Sequence, residues 1–95
     1  MTDKNVLGIA AYVLISTYRE KALKVLVEHD VMTPKYIAKH CGIRQNHISF
    51  TLKELKEHGL VVCLNPEVRK GRLYQITSLG REVYNQLPLL KGEVE

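Results

Sequence analysis

The chain has 95 residues, 45% hydrophobic and 25% charged, with 14 Lys and Arg against 10 Asp and Glu. That composition describes one small folded domain with a single modest core, and excludes both a disordered tail and a second domain. The formal net charge of +4 is modest, so its distribution along the chain carries more information than its size.

Met1 to Asn5 is a polar end, and Val6 to Ile15 is an unbroken apolar run of ten residues. Ten residues cannot span a bilayer, which takes about 20. No basic leader or small-x-small cleavage site accompanies the run, so it is neither a membrane anchor nor a sorting signal, and a cytoplasmic protein is expected. Val6 to Leu14, apolar nearly all round, predicts a short helix covered on more than one side, with a strand as the alternative. A domain this small cannot cover that much apolar surface, whereas a second subunit can. Ser16 or Thr17 caps the next helix, with Glu20 three residues after Thr17 in capping-box spacing. That helix runs to about His29 and offers Tyr18, Ala22, Val25 and Leu26 to the core. Asp30-Val31-Met32 is a link.

The stretch 33–58 reads as two helices joined by a tight turn. Thr33 caps a helix whose first residue is Pro34, where the missing N–H removes no hydrogen bond. Ile37 and Ala38 face inwards; Lys35 and Lys39 face out. Gly42 supplies the turn because a residue without Cβ takes positive φ without steric cost. In the second helix, unrolled at about 100° per residue, Ile48, Thr51, Leu52 and Leu55 share one side. Asn46, Phe50, Lys53 and Glu57 lie opposite, and Gln45, His47 and Ser49 flank them. Arg44 stands at or just before the start. Ala38, Gly42 and Ile48 meet the needs of a helix-turn-helix for a small residue, a turn glycine and an apolar anchor. Arg, Gln, Asn, His and Ser near a helix N-terminus suit the reading of base edges in a major groove. An ordinary solvated helix face is the alternative.

The stretch 60–77 reads as strand, basic loop, strand: Leu60 to Leu64, a loop from Asn65-Pro66 to Lys70-Gly71, then Arg72 to Thr77. Thr77 caps a last helix from Ser78 to about Leu87, with Leu79, Val83 and Leu87 in one stripe, and Pro88 is expected to stop it. From Thr33 to Arg72 the chain holds eight basic residues and three acidic ones. Positive charge is thus concentrated on the helix-turn-helix and wing, as a polyanionic partner requires.

A basic β-ribbon behind such a helix is the winged-helix arrangement. The chain here resembles the small winged-helix transcriptional regulators common in archaea, relatives of the ArsR and MarR families. The residues that carry the likeness are Ser16-x-Tyr18-Arg19, Thr33-Pro34-x-x-Ile37-Ala38, Ser49-x-Thr51-Leu52-Lys53-Glu54-Leu55, Gly59-Leu60-Val61, Leu64-Asn65-Pro66 and Lys70-Gly71-Arg72-Leu73-Tyr74-x-Ile76-Thr77-x-x-Gly80. They extend from about Tyr12 to Val83. The resemblance implies double-stranded DNA as partner and a homodimer, with 6–14 and 78–90 as dimerisation segments. Phe50 departs from it, since relatives usually carry a basic or polar residue directly after the serine. It either projects into the groove, where it could touch a thymine methyl, or folds down beside the wing.

The expected fold is α+β and mostly helical: a three-helix core, a two-stranded wing and additional terminal helices, in one domain over 1–95. Arg44, Gln45, Asn46, His47, Ser49 and Phe50 are the expected base-reading residues, and Lys35, Lys53, Arg69, Lys70 and Arg72 the phosphate-holding ones. No catalytic constellation, glycine-rich phosphate loop or HExxH pattern is present, so neither an enzyme nor a bound cofactor is expected. Cys41 and Cys63 lack metal-ligand spacing and read, with an exposed His40, as core fillers rather than a metal site or a disulfide. The rival to a dimeric regulator on an inverted-repeat site is a winged helix used as a protein-interaction module.

Overall fold

A computed structural model of the chain describes residues 4–92. Its elements are α1 (Lys4–Leu14), α2 (Thr17–Glu28), β1 (Val31–Met32), α3 (Pro34–Cys41), α4 (Gln45–Glu57), β2 (Val61–Cys63), β3 (Tyr74–Ile76) and α5 (Ser78–Leu90). This is the winged helix-turn-helix fold, α+β and mostly helical, with α2, α3 and α4 as the central three helices.

The central helices form because each buries a stripe at helical spacing. Leu23 and Leu26 of α2, Ile37 of α3, and Ile48, Leu52 and Leu55 of α4 are completely buried. Each such side chain stabilises the fold by about 1.5–3 kcal/mol relative to exposure. Side chains cap three of the helix starts. Ser16, Thr33 and Thr77 accept from the backbone N–H groups of Arg19, Tyr36 and Gly80, satisfying donors the helices cannot. With Ser16 as the cap, Thr17 and Glu20 form no capping box; Glu20 pairs instead with Lys91 beyond α5. Gly42 ends α3 at φ 67° and lets the chain turn straight into α4.

The sheet is antiparallel in the order β1-β3-β2, pairing Met32 and Cys63 with Tyr74 from opposite sides. The link at Asp30–Met32 therefore contains a strand, and the wing hairpin carries a third one. Two residues are too few for alternation to be legible, and their partner lies far along the chain. Gly80 brings α5 against the hairpin, because a Cβ there would collide with the Leu60 carbonyl oxygen and Ile76 Cγ1.

Three other expectations change. Lys4 and Asn5 belong to α1 rather than to a free end, while Met1–Asp3 lie outside the described residues. Tyr18 is not a core residue but 41% exposed, its ring resting at 5.4 Å from that of His47; the completely buried Leu23 fills the core instead. Pro88 does not stop α5, which continues to Leu90 and is closed by the Lys91 N–H on the Leu87 carbonyl. A proline one turn from a helix end removes one hydrogen bond without preventing the closing one.

Val6 to Leu14 is helical, not a strand. Val6, Ala10 and Val13 form a buried stripe, and α1 packs principally against α5, which buries Val83 and Leu87. The rest of the apolar run is uncovered: Leu7 and Ala11 are exposed, Ile15 is 80% exposed, and Leu89 and Leu90 of α5 are exposed as well.

Candidate nucleic-acid interface

The outer face of α4 is defined by what its inner face buries. Ile48, Leu52 and Leu55 are locked in the core, and the buried Thr51 hydroxyl donates to the His47 carbonyl at 2.8 Å. Gln45, Asn46, Ser49, Phe50 and Lys53 consequently point outwards and are exposed. Arg44 is the N-cap residue, exposed and without a side-chain capping bond.

Between α3, α4 and the wing runs an open groove of about 810 Å³. Thr33, Pro34, Lys35 and Tyr36 line it from α3; Gln45, Ser49, Lys53 and Lys56 from α4; Arg69, Lys70, Gly71, Arg72 and Tyr74 from the wing. Six of these side chains are cationic and none is acidic. Seven of the expected site residues meet there: Lys35, Gln45, Ser49, Lys53, Arg69, Lys70 and Arg72. Arg44, Asn46, His47 and Phe50 do not line the groove. At 63% exposure Phe50 is not partial core, and His47 rests against Tyr18. Sequence reasoning missed Lys56 and Tyr36. Lys56 stands one turn beyond Lys53, so helical spacing contained that signal. Tyr36, 56% exposed, joins the groove only through the docking of α3 beside the wing.

The wing loop is held by its own side chains. Asn65 Oδ1 accepts from the Leu73 N–H at 2.7 Å, and its Nδ2 donates to the Gly71 carbonyl at 3.2 Å. Arg72 Nε donates to the Val68 carbonyl at 2.7 Å and Nη2 to that of Pro66 at 3.4 Å. Arg72 therefore shapes the loop while lending its charge to the groove, whereas Arg69 and Lys70 stand exposed beside it.

Behind the groove, Arg19 of α2 pairs with Glu54 of α4 at 2.9 Å. The Arg19 hydrogen bond holds the Glu54 carboxyl below its ordinary value of 4.5, against the opposing effect of burial. Cys41 and Cys63 are free thiols, and burial pushes Cys41 up although Lys21 pulls it down. His40 Nδ1 lies 2.9 Å from the Tyr36 carbonyl oxygen. Among the described residues, no three His, Cys, Asp or Glu side chains are grouped to hold a metal, and no helix is long and apolar enough to cross a membrane.

A winged helix-turn-helix with a cationic groove beside its second helix is the class this architecture defines. No protein-family model matches the sequence, and no curated protein sequence does either. Solved structures do match the fold. A MarR-family transcriptional regulator from Silicibacter pomeroyi superposes with a TM-score of 0.73 at 24% identity, over 93% of this chain and 60% of its own. The transcriptional repressor CouR, bound to a 23-mer DNA duplex, gives 0.73 at 22% identity over 94% and 63%. A mutant MarR from E. coli, complexed with operator DNA, gives 0.73 at 23% identity over 96% and 66%. The chain thus spans about three fifths of the length of such structures. They match the MarR side of the resemblance; they do not support the archaeal side, and ArsR kinship is not shown.

Proposed function

We propose that the chain is a sequence-specific, double-stranded DNA-binding transcription regulator that acts as a cytoplasmic homodimer on an inverted-repeat site. The observation that carries this reading is the groove: six cationic side chains and no acidic one, bordered by the exposed polar face of a rigidly buried helix. Cations held in fixed register suit the phosphates of a duplex, which supply affinity but no sequence information. Lys35, Lys53, Arg69 and Lys70 would hold phosphates, Arg72 would keep the wing in shape beside them, and Lys56 would add a sixth positive charge. Arg44, Gln45, Asn46, His47, Ser49 and Phe50 would face base edges. The neighbours described as bound to a duplex or to operator DNA share this fold and support the same use of it.

The homodimer rests on the exposed aliphatic strip of α1 and the C-terminal end of α5. Leu7, Ala11, Ile15, Leu89 and Leu90 remain open to solvent in the single chain, and twofold pairing would cover them. Each reading helix would then enter one of two successive major grooves, its wing along the adjacent backbone.

Labelled duplexes titrated at several salt concentrations, with half-site spacing varied, test the proposal. On the order of 6–10 phosphate contacts per dimer predicts a log–log salt slope of roughly −5 to −9. Binding should peak with half-sites about one helical turn apart, roughly 10–10.5 bp. A shallow slope with indifference to spacing would instead favour a protein-interaction module.

A further inference from the structure

A second polar cluster lies away from the groove, where α1, α2 and α4 meet. Arg19 Nη2 donates to Glu54 Oε2 at 2.9 Å, and Nη1 donates to the Tyr12 carbonyl at 2.8 Å. The guanidinium carbon stands 3.7 Å from the centroid of the Tyr12 ring. The Tyr12 hydroxyl donates to the same Glu54 oxygen at 3.3 Å, and its ring stacks on His58 at 4.1 Å. One planar cation thus grips the backbone and ring of α1 and the carboxylate of α4 together, a geometry a lysine cannot reproduce.

Stability alone is a poor account of this cluster. Arg19 Nε is buried without a partner, an unfavourable arrangement that well-packed apolar residues would avoid. Its placement is more informative. α1 and α2 are joined only through Ile15 and Ser16, a short hinge, and the cluster lies beside it. On the far side of the hinge, α1 and α5 meet through aliphatic stripes. Apolar contact holds two helices together but has little directional preference, whereas charge-assisted hydrogen bonds have a strong one.

We propose that Tyr12, Arg19 and Glu54 are positioning residues: they clasp the lobe of α2, α3 and α4 at a set angle to α1, and so determine the half-site spacing a dimer accepts. The inference rests on the dimeric DNA-binding reading. Its leverage follows from helix geometry. Glu54 and Gln45 lie about 13 Å apart along α4 at 1.5 Å per residue, so a 10° swing about the clasp displaces Gln45 by about 2 Å. Opposed swings in two protomers change the separation of the reading helices by roughly 4 Å, comparable with the 3.4 Å rise of one base pair.

The test uses the full chain carrying Arg19→Gln with Glu54→Gln, which leaves no charge unpaired, and separately Tyr12→Phe, which removes one hydroxyl. Binding is measured on duplexes whose half-site spacing changes in single base-pair steps and on random DNA, with sizing and thermal melting as controls. The double variant should remain a folded dimer with random-DNA affinity within about twofold of the parent. Its preference for the best spacing over the next should fall by roughly 5–10-fold, in the range of ordinary coupling between sites, with a smaller fall for Tyr12→Phe. Arg19→Lys, which keeps charge but not the planar grip, should not restore the preference. An unchanged spacing profile, or a loss equal at every spacing, overturns the positioning role. If the double variant fails to fold, the profile of Tyr12→Phe decides. A parent protein with no spacing preference and a shallow salt slope overturns the dimeric reading itself, and the clasp with it.

Discussion

The two ends of this molecule solve opposite problems. The lobe of α2, α3, α4 and the wing closes its apolar surface completely and presents charge to solvent. The α1–α5 end buries one stripe and leaves Leu7, Ile15, Leu89 and Leu90 exposed. A cationic surface on a rigid core is complete as a single chain and awaits a polyanion. An aliphatic surface of that kind is incomplete, and its natural complement is a second copy. A small domain can therefore leave dimerisation and recognition to separate faces, joined at the Tyr12–Arg19–Glu54 clasp.

The sharpest way to break the contrast is to collapse the core under the groove. Leu52→Ala should destabilise the fold by about 2–5 kcal/mol, measured by urea unfolding, because the side chain is completely buried beneath the reading face. Gly80→Ala should cost roughly 1–3 kcal/mol in the same assay, since the added methyl meets backbone at Leu60 rather than a side chain able to move. Ile15→Ser with Leu89→Ser should leave helix content intact and shift a sizing profile towards monomer, because both side chains are exposed in the single chain. If these substitutions unfold the chain instead, the two ends are not separable.

Within the charged face, Gln45→Ala should narrow the gap between specific and random DNA by roughly 1–3 kcal/mol. Arg69→Ala with Lys70→Ala should weaken both alike and reduce the salt slope by about 2, as two lost phosphate contacts require. Competition titrations against random duplex distinguish these outcomes. The smallest effect concerns acid. A carboxyl whose folded pKa lies below its ordinary value contributes stability that is full above that value and is lost as pH falls through the lowered one. For Glu54 that window begins near 4.5 and extends downwards. Glu54→Gln should flatten the corresponding part of the stability–pH curve, and an unchanged curve would mean that the Arg19 pair is not formed in solution.

What the sequence determined by itself was local. Thr33, Pro34 and Gly42 mark the helix-turn-helix because capping, a missing donor and positive φ act within a few residues. Ile48, Leu52 and Leu55 reveal the inner face of α4, and hence its outer one, because burial follows the helical period. The loop from Asn65 to Gly71 announces the hairpin through its turn residues. Tertiary structure decided what depends on distant partners. It paired Val31 and Met32 with β3, carried α5 past Pro88 and directed Tyr18 onto His47. It also selected which polar residues share the groove, adding Lys56 and Tyr36 while leaving Arg44, Asn46, His47 and Phe50 outside its walls. Arg19, Tyr12 and Glu54 have no sequence signature as a group: their meeting depends on the angles at which three helices pack, and a one-dimensional pattern does not encode angles between elements.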